Sequence, residues 1–193
     1  MAAAVIYGVI HDEITAHLCV QYFSVAHPLL FHTQSPALLA LCWGVAATIG
    51  IGAMLGLLLA EVSQSPGRVP WPVKRVARSV SILLGAMAAG AVAAGSLGYV
   101  LAEKKLIFLP QSLAEEIPYY LHSRFMAVWF GHSASYLVGL GGAAFLIFRI
   151  WRERGKPRII QLLPRTRGGL ARAALVVTVS AIIIWLRITR SGN

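Results

Sequence analysis

The chain has 193 residues, 58% of them hydrophobic and 12% charged, with a mean hydropathy of +0.71 and a formal net charge of +10. A soluble domain carries about 25% charged residues, so this composition excludes an ordinary water-soluble domain and leaves a single α-helical membrane bundle as the expected class. The basic residues sit in short segments beside apolar stretches, the pattern that sets membrane topology, so a nucleic-acid partner is not expected despite a pI near 10.3.

Residues 1–36 are predicted to begin with a helix over 2–26 and to break near Pro28. The opening ten residues are apolar but lack the basic start and cleavage site of a signal peptide, so the segment is expected to be retained. It is predicted to be an interfacial or partly inserted helix, because a full span would carry His11, Asp12, Glu13 and His17 near its middle.

Four later stretches are expected to be long enough to cross a bilayer, which takes about 20 apolar residues as helix. They cover 37–60, 79–102, 125–148 and 170–186. Ser35-Pro36 opens the first, as a cap followed by proline at the first helical position. The spans are rich in small residues: Gly52 and Gly56 form a GxxxG, and the second span reads GAMAAGAVAAGSLG from Gly85 to Gly98. Such faces let helix backbones approach closely in lipid. The expected fold is an all-α, four-span bundle over 37–193, with the 1–36 segment at its non-cytoplasmic face.

Charge orients the bundle. Residues 61–78 and 149–172 together hold 12 of the 17 Lys and Arg, whereas residues 1–36 hold none. The positive-inside rule makes those two segments cytoplasmic, in what is expected to be a cell inner (plasma) membrane. Cys19 and Cys42 form no metal-ligand spacing, and Cys42 reads as a packing residue.

All six histidines fall in two patches that this topology places on the non-cytoplasmic side. At about 100° per residue, His11, Asp12, Thr15, Cys19 and Tyr22 share one helix face, while Glu13, His17, Gln21 and Ser24 share another. One stripe can face water and the other the bundle. His132 lies about 12 Å along the third span from Arg124, with Ser135 and Tyr136 on its side of the helix. An ionisable group at that depth usually faces the interior.

Histidines with nearby carboxylates are ligands for zinc, iron or copper. The candidate ligands are His11, Asp12, His27, His122 and His132, with Tyr22, Arg124 and Tyr136 placed to orient a substrate or tune the site. Haem ranks behind a metal ion, since only His132 is clearly embedded. Each residue also has an ordinary explanation. His11 and Asp12 can hydrogen-bond at the membrane surface, His132 can bond a neighbouring helix, and Arg124 can snorkel to the interface beside Tyr119 and Tyr120. No HExxH, phosphate-binding loop or GxSxG elbow is present.

The run YGVIHDEITAHLCVQYFSVAH (7–27) resembles one in uncharacterised bacterial polytopic membrane proteins, as do RFMAVWFGHSASYLVG (124–139) and WGVAAT (43–48). The resemblance covers most of the chain and carries no activity. The residues themselves point to a membrane protein with a histidine-rich metal site at the non-cytoplasmic mouth, open to a catalytic role. A non-catalytic accessory or assembly subunit of a larger membrane complex is the alternative, followed by a small transporter built by homo-oligomerisation.

Overall fold

A computed structural model describes residues 1–28 and 30–154, and every regular element among them is helical. In chain order these are α1 (Ala2–Leu18), α2 (Gln21–Ser24), α3 (Pro36–Gln64), α4 (Val73–Glu103), α5 (Gln111–Glu116), a 3-10 turn (Tyr119–Leu121) and α6 (His122–Glu153). The apolar stretch 170–186 lies outside the described residues.

Three of these segments are long and apolar enough to cross a membrane: Pro36–Gln64, Val73–Glu103 and Tyr119–Glu153. The chain is a multi-pass membrane protein on that ground. Each helix outruns its apolar stretch, because backbone hydrogen bonding continues until a specific signal stops it. Ser35 starts α3, its Oγ accepting from the Leu38 N–H at 3.5 Å, with Pro36 in the first turn. At the end of α4, Lys105 adopts a left-handed φ of 55°. Its N–H bonds the Ala102 carbonyl at 2.9 Å, and the Leu106 N–H bonds Leu101 at 2.9 Å. That is a Schellman stop with lysine where glycine is usual.

The single helix expected over 2–26 is corrected to two. Cys19 is extended, with φ −155° and ψ 95°, and ends α1. No proline or glycine forces the break. It turns α2 inward, so that Tyr22 and Phe23 bury against Phe125 and His132. Packing here outweighs helical continuity, as tertiary context commonly does.

The bundle is two antiparallel pairs. α4 packs on α6, with Leu83 against Gly142, Met87 against Gly139 and Gly95 against Ala127. The contact is close enough that a Cβ on Gly98 would lie 2.8 Å from the Met126 carbonyl oxygen. α1 packs lengthwise along α3. Met1 and Ala4 lie beside Gly52, and Gly8 lies beside Gly44 and Thr48. A Cβ on Gly44 would meet the Val9 Cα at 2.7 Å, so glycine is required for that approach. The GxxxG of α3 therefore receives α1.

One end of the bundle is closed by arginine. Arg154, buried just beyond α6, donates to the carbonyls of Ser65 (2.6 Å), Val69 (2.9 Å), Arg68 (3.3 Å) and Val62. It thereby satisfies the loop that joins α3 to α4. Trp71 is buried beneath Arg75, whose guanidinium lies 3.9 Å from the ring centroid. Glu153 accepts from Arg75 and Arg149, each at 2.6 Å.

Candidate metal centre

The other end holds the histidines. His132 is buried on the inner face of α6, ten residues or roughly 15 Å along the helix from His122. Its Nδ1 lies 3.0 Å from the Val128 carbonyl, one turn back. The Nδ1 N–H donates there, which aims Nε2 away from its own helix backbone. That Nε2 is 3.2 Å from Asp12 Oδ1.

Asp12 arrives from α1. The close α1–α3 packing puts the Asp12 face inward, and Asp12, Thr15 and Ala16 are all buried. On the other stripe Glu13 and His17 stay about half exposed, paired to each other at 3.5 Å. His11 joins from the same turn as Asp12. Its ring meets His132 edge-on at 4.5 Å and stacks on Tyr7 at 5.7 Å. One ligand atom from each of His11, Asp12 and His132 lies within 4.8 Å of the others, so the three can hold a metal ion.

Three features fit such an ion. Ligand atoms about 2.1 Å from a shared tetrahedral ion lie roughly 3.4 Å apart, close to the 3.2 Å between Nε2 and Oδ1. Among the described residues the buried His11 Nε2 has no hydrogen-bond partner, and such an atom costs about 1–3 kcal/mol unless something binds it. The Val128 carbonyl on Nδ1 is the outer support that metal-ligating histidines generally have.

Aromatic rings enclose the group. Tyr22 lies 4.6 Å from the His132 ring, Phe23 5.6 Å and Tyr136 6.1 Å. The Tyr7 hydroxyl hydrogen-bonds Ser135 Oγ at 2.5 Å, tying α1 to α6 a turn deeper. Tyr7 was not among the residues singled out in the sequence, although it stands four positions before His11 and so on the same helix face.

The structure does not bring the remaining candidates into the group of three. His27 Nδ1 donates to the Tyr22 carbonyl at 2.7 Å, and its ring packs on Tyr22 and Trp43. Burial lowers its pKa below the usual imidazole value, which keeps the ring neutral at pH 7. His122 Nε2 is held by the Ile117 carbonyl at 2.9 Å beside Tyr119. Arg124 is exposed, and the partner of Asp12 is His132. Cys19 and Cys42 are free thiols.

No protein-family model, curated protein or solved structure matches this chain.

Proposed function

We propose that this protein binds a divalent transition-metal ion through His11, Asp12 and His132, inside the membrane bundle near the non-cytoplasmic face. The observation that carries the proposal is the buried, unpartnered His11 Nε2 beside the Asp12–His132 pair. Packing has desolvated three ligand groups and left one without a partner, which a purely structural core would avoid. The nitrogen-and-carboxylate set suits zinc, iron or copper.

Three protein ligands leave a tetrahedral ion one open position, the arrangement of catalytic rather than structural sites. An ion there supplies a Lewis acid for a polarised substrate group. Around it Tyr22 and Tyr136 would limit water and orient a substrate, while the Tyr7–Ser135 pair holds α1 against α6.

In this account α1 runs within the membrane beside α3. The basic segments face the cytoplasm and the histidines the opposite side, as expected for an inner (plasma) membrane protein.

The accessory-subunit alternative has its own support. Asp12 and His132 are close enough to be a simple buried ion pair. Gly50, Gly85 and Gly141 also meet nothing within 4 Å among the described residues, leaving small-residue faces for partner helices.

Elemental analysis of the detergent-purified chain, prepared without chelators, separates the two readings. The metal site requires stoichiometric zinc, iron or copper, lost in His132→Ala. A folded, metal-free protein that co-purifies with stoichiometric partners would select the accessory role.

A further inference from the structure

A cavity of about 520 Å³ runs between α1 and α4 over the seam where α4 packs on α6. Its floor is made of small residues, among them Ala91, Gly95, Ala127 and Gly131, where α4 and α6 approach too closely for larger side chains. Among the described residues its walls are exposed aliphatic side chains: Ile10, Ile14 and Leu18 on α1, and Val92 and Val100 on α4. The volume is in the range of small-molecule sites, about 300–1,000 Å³. Two residues link it to the metal group, because His11 and Tyr7 also line it.

We infer that this groove holds the alkyl chain of a lipid, and that the substrate of the metal site is such a lipid, entering sideways from the bilayer. The inference rests on the metal-site reading above. One wall, α4, is long and apolar enough to cross a membrane, and the other, α1, packs lengthwise on a second such helix, α3, so hydrocarbon chains are the expected surrounding solvent. A long trough with aliphatic walls and a small-residue floor accepts one chain without side-chain rearrangement. Its polar contribution is confined to a few groups, with His11 in the wall beside the ligand cluster. A water-soluble substrate would find no comparable polar lining on this side.

The α1 wall presents Ile10, Ile14 and Leu18 along one outward edge. Ala91 faces Gly131 across the α4–α6 contact, next to His132 in sequence. From that level the groove extends toward Tyr99 and Val100, at the end of α4 that adjoins α5. A chain entering there passes His11 before it reaches Ala88.

The test uses the full chain in lipid vesicles, with palmitic acid carrying a terminal diazirine as the probe. Photo-crosslinked peptides are mapped by mass spectrometry, and metal content is measured on the same samples. Labelling is expected to concentrate on Ile10, Ile14, Val92 and Tyr99, above that of the exposed lipid-facing Leu137 and Phe145. Ala88→Trp and Ser96→Trp place bulk in the groove at exposed positions away from the ligands. Each should cut groove labelling by about tenfold, a ~1.4 kcal/mol effect, and leave the metal bound.

Labelling spread evenly over all lipid-facing positions, with metal still present, overturns the lipid assignment and leaves the metal site standing. Groove labelling in a protein that never binds metal overturns the metal site and, with it, the substrate assignment. A disulfide between Val92→Cys and Val177→Cys would show the chain's own fourth apolar stretch in the groove and also overturns the inference.

Discussion

Arg154, just beyond the end of α6, and His132, in the half of that helix nearer its start, are both buried polar side chains, and they differ in what surrounds them. The Arg154 guanidinium donates to four carbonyls, three in the loop after α3 and that of Val62 in the last turn of α3, with Nε, Nη1 and Nη2 all engaged. Among the described residues, no buried side-chain nitrogen or oxygen at that end lacks a partner, which is how a structural polar cluster looks. His132 shares its end with a carboxylate and with a second histidine whose buried nitrogen has no partner. The contrast teaches that burial of a polar group does not by itself mark a site. An open valence beside groups already held in place does.

The comparison can be broken from either end, and the largest effect should come from His132→Ala. It strands the buried Asp12 carboxylate, and removing one partner of a buried pair costs about 3–5 kcal/mol. Chemical denaturation in detergent, with and without added zinc, should show that loss together with the loss of any zinc-induced stabilisation. If zinc still stabilises the variant, His132 is not a ligand.

Arg154→Lys should come next. A lysine keeps the charge but cannot fork to several carbonyls, and leaving loop carbonyls without donors costs about 2 kcal/mol. Metal binding should be untouched. A change in metal affinity would mean that the two ends are coupled and the contrast is false.

A smaller effect of opposite sign is expected for His11→Leu. It removes the unpartnered nitrogen and should stabilise the metal-free protein by about 1 kcal/mol while abolishing metal binding. Destabilisation of the metal-free form would show that His11 has a structural partner after all. The smallest effect is expected at Lys105, where glycine fits the left-handed turn better. Lys105→Gly should raise stability by about 0.5 kcal/mol and leave metal affinity unchanged.

Much of this architecture can be read from residues alone, and the failures have physical causes. Length and apolarity mark α3, α4 and α6, and Ser35-Pro36 marks where α3 begins. The break at Cys19 carries no local signal, because it is decided by what Tyr22 and Phe23 pack against. The two stripes of α1 follow from the 3.6-residue period, but its partner does not. Gly8 and Gly44 lie 36 positions apart, and their mutual approach is a property of the fold. Helix rise alone separates His122 from His132, since ten residues along one helix are too far for a shared ion. Arg154 reads in sequence as one of several topology-setting charges. Its role as a loop anchor depends on carbonyls more than eighty positions away.

The most direct test of the central claim is a calorimetric titration of chelator-stripped protein with zinc, run in parallel on wild type and His11→Leu. The account predicts one zinc site per chain in the wild type and none in the variant, with both proteins folded. No binding in the wild type, or an unchanged site in His11→Leu, would contradict it.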